Sequence, residues 1–190
     1  TAASFSHPHG ITVSRDGRSI FVSEQSGNRI RIVDTVTLNV LTLAGSTAGF
    51  ADGMGISAMF SGPCGMAVSE DESTLYIADE VNNRIRTMVP KRLSEGEVVT
   101  VAGSGSCGYS DGIGIGAQFH FSNGIAMSSD GLTLYIADMS NFAIRTVAAK
   151  TAVVGTLVGS RSGVSGSIDG IGTNALFSNP KGVVTSSDGL

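Results

Sequence analysis

The stretch Ser73-Thr74-Leu75-Tyr76-Ile77-Ala78-Asp79 constrains this chain more than any other, because it returns almost unchanged. Thr133-Leu134-Tyr135-Ile136-Ala137-Asp138 repeats it 59 residues later, and Ser19-Ile20-Phe21-Val22-Ser23-Glu24 is a looser copy upstream. Each copy alternates apolar with small or polar residues and is rich in β-branched and aromatic types, the pattern of a half-buried strand. A strand recurring at a long fixed period means one supersecondary unit used several times.

The surroundings of that strand recur with it. In the first copy, Phe5 to Ser14 reads as an opening turn and a short strand. Arg15-Asp16-Gly17-Arg18 reads as a hairpin turn, since Asp-Gly supplies the positive φ such turns need. Ile20 to Glu24 is the second strand, Asn28 to Val33 the third and Val40 to Gly45 the fourth. A Gly-rich connection over Gly49 to Gly55 then leads to Phe60, where the pattern restarts. Phe60–Gly65, Phe119–Gly124 and Phe177–Gly182 match Phe5–Gly10, with successive copies 55, 59 and 58 residues apart. Asp111-Gly112 and Asp169-Gly170 repeat Asp52-Gly53, each eight residues before the next Phe. Three full repeats are expected, at about 5–59, 60–118 and 119–176, with a stub at 177–190. The stub offers one strand, Val183 to Ser186, and the turn at Asp188-Gly189.

Four antiparallel strands per unit, repeated without helices, is the logic of a β-propeller blade, whose small sheet must stack on its neighbours to bury its faces. The combination Pro-x-Gly-Ile-Ala-Val, Leu-Tyr-Ile-Ala-Asp and Asn-Arg-Ile-Arg resembles the NHL repeat, which builds propellers of typically six blades. The periods are longer than the usual NHL unit because the connection from Ala-Gly to Asp-Gly is long. The third repeat also departs from the pattern, with Ser122 for the opening Pro and Phe142-Ala143 for the Asn-Arg pair. The expected fold is therefore all-β: an NHL-type propeller of three four-stranded antiparallel blades plus the first strand of a fourth. Such an incomplete ring is expected to be part of a longer propeller, or to complete one with another copy. The chain opens on Thr1 and reads as a processed chain or a fragment.

Composition narrows the function classes. Hydrophobic content is 41%, charged content 15% and Gly 26 of 190, which suits short strands and tight turns rather than helical bundles or disorder. The net charge of −4, with no basic run beyond Lys91-Arg92, leaves no nucleic-acid footprint. No apolar run approaches the 18 residues of a membrane span. Low Lys content and Gly/Ser-rich loops fit an extracellular or cell-surface setting.

Several candidate sites have competing readings. Gly103-Ser104-Gly105-Ser106-Cys107-Gly108 matches the dinucleotide fingerprint G-x-G-x-x-G, but no helix is expected after it to hold a pyrophosphate, so it reads as a Gly-rich loop. Glu24, Asp79 and Asp138 share one repeat position. They could be calcium ligands, but recurrence in every blade favours acceptors for turn amides. Arg29, Arg31, Arg84, Arg86 and Arg145 read the same way, with packed stems and heads bound to carbonyls or acids. His7, His9 and His120 lie at blade openings. Amidating lyases are similar in fold and hold zinc with His from several blades, yet two of these three share one loop and no acid completes a shell. Cys64 and Cys107 could form a disulfide or remain two free, buried thiols.

The repeat frame also shows where it varies. The residue before the opening Gly is His9, Cys64, Asn123 and Lys181 in successive copies. In a propeller this position is expected at the channel mouth, where variation fits either partner recognition or an unconstrained exposed turn. The expected function is a non-catalytic binding or scaffold module presenting a propeller rim to a protein or glycan. Its other expected partners are the remaining blades of the same chain or another copy; no cofactor is called for. The alternative is a metal-dependent propeller lyase or hydrolase with its site in the central channel.

Overall fold

Period-two alternation from Ser19 onward produces strands that pair with their sequence neighbours. The computed structural model describes residues 3–90 and 96–186. The first sheet contains β1 (Pro8–Val13), β2 (Ser19–Glu24), β3 (Arg29–Asp34) and β4 (Val40–Ala44), in that order. The second is formed by β5 (Gly53–Met54), β6 (Pro63–Val68), β7 (Leu75–Asp79), β8 (Arg84–Met88) and β9 (Glu97–Ala102). Its order is β5-β9-β8-β7-β6. The third repeats that order with β10 (Gly112–Ile113), β11 (Ser122–Met127), β12 (Thr133–Asp138), β13 (Ala143–Ala148) and β14 (Val153–Gly159). The pairing is antiparallel, and the only helical elements among the described residues are four three-residue 3-10 turns. The protein is all-β, built of propeller-type sheets.

Two of the sheets have five strands where four were expected. The extra strand comes from the Asp-Gly connection: Gly53 and Met54 pair with Val98 and Glu97, and Gly112 and Ile113 with Val154 and Val153. Two residues with one apolar side chain between them present no alternation, so a period-two reading passes over them. The strand expected at Val183–Ser186 does not form. A strand needs a ladder partner, and no second strand of that repeat lies among the described residues. The Asp188-Gly189 turn falls outside them.

The chain divides into two compact units, Thr1–Asn82 with Arg86–Val99, and Asn83–Ile85 with Thr100–Leu190. The first has a core of Phe21, Ile30, Ile32, Phe60, Leu75 and Ile77, all nearly or fully buried. Each such side chain contributes about 1.5–3 kcal/mol. In the second, Phe119, Leu134, Ile136, Val147 and Val154 are buried in the same way.

Each repeat opens through a left-handed residue, at His7, Gly62, Phe121 and Asn179 with φ of 48°, 62°, 53° and 50°. The opening glycine follows three residues later, and in the first and third repeats it leaves no room for a side chain. A Cβ on Gly10 would lie 2.1 Å from the Cys64 carbonyl oxygen, and one on Gly124 2.5 Å from that of Lys181. Close approach of backbone to backbone is what glycine permits here.

Candidate functional site

The groups that recur in every repeat are an acid at the end of the second strand and an arginine in the third. In the second repeat Asp79 and Arg86 are both fully buried, and Arg86 Nη1 lies 2.7 Å from Asp79 Oδ2. Asn82 Nδ2 donates to that same oxygen at 2.9 Å and to the Gly49 carbonyl at 2.7 Å, while the Ser61 amide donates to Oδ1 at 2.8 Å. The Arg86 head also donates to the Met59 and Ala51 carbonyls and to Asp52, 2.7 Å away. Its guanidinium carbon lies 4.9 and 5.2 Å from the ring centres of Phe50 and Phe60.

The third repeat reproduces this contact by contact. Asp138 accepts from Arg145, Asn141 and the His120 amide. Arg145 donates to Gln118 O, Ser110 O and Asp111, between the rings of Tyr109 and Phe119. Burial pushes the Asp79 and Asp138 carboxyls above the usual range, while the bonds from the amides, asparagines and arginines pull them back. In the first repeat Glu24 accepts from Arg29 at 2.7 Å, Arg31 at 3.0 Å and the Ser6 amide at 3.1 Å. The recurring acids therefore close turns and anchor arginines, and the arginine heads bind carbonyls and acids. In the two later repeats the anchored arginine binds the connection that precedes its own repeat.

The variable positions lie in an irregular part of the first strand. The pairing register shifts between Pro8 and Ile11, Pro63 and Met66, and Ser122 and Ile125, so His9, Cys64 and Asn123 each sit inside a bulge. A bulge re-aims the side chain it carries. His9 is exposed, Cys64 and Asn123 are buried, and Lys181 is exposed on an irregular segment. Within the first unit the Gly10 amide donates to Ser23 Oγ at 2.8 Å, and that hydroxyl donates to the Cys64 carbonyl at 2.5 Å. Within the second unit, Gly124 packs against Lys181.

Cys64 and Cys107 are free thiols, and Cys107 is exposed rather than buried. The Cys64 thiol lies 3.2 Å from Glu80 Oε2 and receives a bond from Gln25 Nε2 at 3.4 Å. Burial first, and then the Glu80 charge, push it far above an ordinary thiol and disfavour the thiolate. His7 and His9 are exposed, and His120 stacks on Phe121. Among the described residues no three His, Cys, Asp or Glu side chains gather as metal ligands, and no helix is long and apolar enough to cross a membrane. The Gly103–Gly108 loop opens no helix. Arg84 donates to the Ser104 carbonyl at 2.8 Å, and its guanidinium fills the space beside Gly105.

One recurring feature is not visible from strand periodicity. The connections read Asp52-Gly53-Met54-Gly55-Ile56, Asp111-Gly112-Ile113-Gly114-Ile115 and Asp169-Gly170-Ile171-Gly172-Thr173. Their Met54, Ile56, Ile113, Ile115 and Ile171 side chains are exposed. The Asp-Gly landmark marks their place; the flanking apolar residues are the signal that goes with it.

No protein-family profile matches the chain. It is 35% identical over 96 residues to Protein SUPPRESSOR OF QUENCHING 1, chloroplastic, of Arabidopsis thaliana, covering 50% of this chain and 9% of that protein. It is 31% identical over 88 residues to human NHL repeat-containing protein 2, covering 45% of this chain and 12% of that protein. The matched stretch thus spans only a small part of either relative. Among solved structures, a protein of unknown function from Bacteroides thetaiotaomicron superposes with a TM-score of 0.75 at 20% identity, over 93% of this chain and 42% of that one. An auxiliary nutrient binding protein from the same organism gives 0.75 at 19% identity, over 94% and 43%. A chain of the nidogen/laminin complex gives 0.63 at 14% identity, over 98% and 55%.

Proposed function

We propose that the chain, whose repeats are similar to those of NHL repeat-containing protein 2, is a binding or scaffold module presenting a propeller rim to a partner. One observation carries this reading: the charged groups that recur are occupied inside the blades, whereas exposed side chains recur on the connections and, at His9 and Lys181, differ between blade openings. Rigid sheets that carry variable loops are how a scaffold positions recognition residues. His9 and Lys181 offer side chains at the openings, with Cys64 and Asn123 shaping the backbone beneath them. The loops around Phe50, Tyr109 and Ile168 supply the second set of contacts. A protein segment suits exposed isoleucines better than a glycan does, because Phe50 and Tyr109, the aromatic rings a sugar would stack on, already hold arginines.

The test is a pull-down from a native source with three baits: the wild-type chain, a His9→Ala/Asn123→Ala/Lys181→Ala variant, and a Met54→Ser/Ile113→Ser variant. A partner retained by wild type and reduced at least about tenfold, roughly 1.4 kcal/mol, by one variant supports the reading. Equal retention by all three removes the rim and the connections together.

A further inference from the structure

The hairpin turns that join the first two strands of each repeat share one build with one exception. Gly17 and Gly131 are left-handed at φ 69°, and Glu72 holds the same place at φ 58°. Glycine takes that conformation freely, whereas a glutamate there is strained. The Glu72 side chain reaches the turn of the preceding repeat, where Oε1 accepts the Arg15 backbone amide. The Arg15 guanidinium lies instead beside Glu70, 3.4 Å away, with both side chains largely exposed. The Glu72 carboxylate is thus held at the first turn through a neutral group.

Glu72 also lines a cavity of about 110 Å³ inside the first unit. The apolar lining is Phe21 of β2, Ile32 of β3, Val68 of β6 and Pro90. Phe21 and Ile32 are buried core residues. Ser14 and Asp16 add to the polar lining, and the turn holds both in place. Ser14 Oγ donates to Asp16 Oδ1 at 2.7 Å and accepts the Ser19 amide at 2.9 Å, while the Arg18 amide donates to Asp16 Oδ1 at 2.9 Å. The volume is several times that of one water and well below a drug-sized pocket, which suits a single unbranched chain.

We propose that this cavity binds a primary alkylammonium group, its methylene stem against Phe21, Ile32, Val68 and Pro90 and its charged head at Asp16 and Glu72. The stem removes apolar surface from water, and the two carboxylates select the charge. An ammonium suits oxygens supplied by separate residues, because its three donors radiate from one point, whereas a guanidinium needs a matched pair of acceptors. The strained glutamate has a use on this reading, since neither of the other two turns places a carboxylate at that position. A free alkylamine and the lysine side chain of a partner protein share this chemistry. The lining has no residue in common with the blade openings or the connections, so the site is independent of the rim reading above.

Amide chemical shifts of the isotope-labelled full chain, followed as n-butylammonium chloride is added at neutral pH, give the test. Saturating shifts at Ser14, Arg15, Val68 and Glu72 are expected, with a Kd of about 1–10 mM for so small a ligand. n-Butanol keeps the stem and ammonium chloride keeps the charge; each should bind at least about tenfold more weakly. Glu72→Gln keeps the side-chain length, and Glu72→Gly restores the residue of the other two turns. Both should weaken n-butylammonium binding about fivefold or more, while the Glu72→Gly chain melts no lower than wild type. Nα-acetyl-lysine methylamide separates the sources: binding as tight as that of n-butylammonium assigns the site to a partner's lysine, and binding of n-butylammonium alone assigns it to a free amine. No shift at these amides up to about 50 mM, equal shifts with n-butanol or ammonium chloride, or unchanged binding in both Glu72 variants overturns the proposal.

Discussion

Arg86 and Arg31 occupy the same place in two repeats and have different surroundings. Arg86 has two carboxylates, two backbone carbonyls and two aromatic rings. Arg31 has Glu24, the Ser4 carbonyl and the Phe5 ring. Glu24 in turn is shared with Arg29. Everything that Arg86 has beyond Arg31's set is delivered by Phe50, Ala51 and Asp52. The cluster is thus a joint between a connection and the blade that follows it.

The largest expected effect follows directly. Arg86→Ala or Arg145→Ala leaves a buried carboxylate without its cation and should cost about 3–5 kcal/mol. Arg31→Ala should cost about 1–2 kcal/mol, since Arg29 still neutralises Glu24. Urea unfolding of the three variants checks this, and equal losses would dissolve the contrast.

A smaller effect of opposite sign is expected where the third repeat departs from the first two. Asn28, Asn83 and Phe142 share a left-handed position, with φ of 50°, 52° and 54°. Asn adopts that region at lower cost than Phe. The Asn28 and Asn83 side chains also accept the amides of Gly62 and Phe121 in the following openings. Phe142→Asn should therefore stabilise by about 1 kcal/mol, read as a rise in melting temperature. No rise would mean that packing of the Phe142 ring outweighs its backbone strain.

The thiols separate the two units chemically. Iodoacetamide at pH 8 should label the exposed Cys107 in the folded chain and reach Cys64 only after unfolding, seen as one and then two mass additions. Double labelling of the native chain would mean that Cys64 opens to solvent.

The smallest effect is at the hairpin turns. Asp71 accepts from Ser69, Ser73 and the Ser73 amide, which hold its carboxyl down from 3.8 to about 2. Its folded value is depressed, so its stabilisation is present above about pH 4 and lost as the pH falls through 2. The Asp71→Asn chain should lack that part of the acid dependence; identical acid curves would assign the turn no role.

Strands such as Ser19–Glu24 and Thr133–Asp138 were legible because alternation is a local property of the residues, and the recurring acids and arginines were legible as structural because they repeat. Gly53-Met54 and Gly112-Ile113 were not, since their strand character exists only against a partner distant in sequence. The variable positions were hidden for another reason. His9, Cys64 and Asn123 lie in bulges, where counting by twos no longer tells which way a side chain faces, so the burial of Cys64 and Asn123 could not be read. The part played by the rings of Phe50 and Tyr109 was not legible, because the arginines they cover lie 36 residues further along.

The connection that locks Arg86 and Arg145 also tells where the chain can be cut and rejoined. Asn82 holds the Gly49 carbonyl and Asn141 the Gly108 carbonyl, so a blade carries its fixtures from those glycines onward. A duplication or graft that starts at Phe60 or Phe119 transplants a sheet stripped of its fifth strand and half its arginine joint. One that starts at Gly49 or Gly108 moves the same number of residues and keeps both.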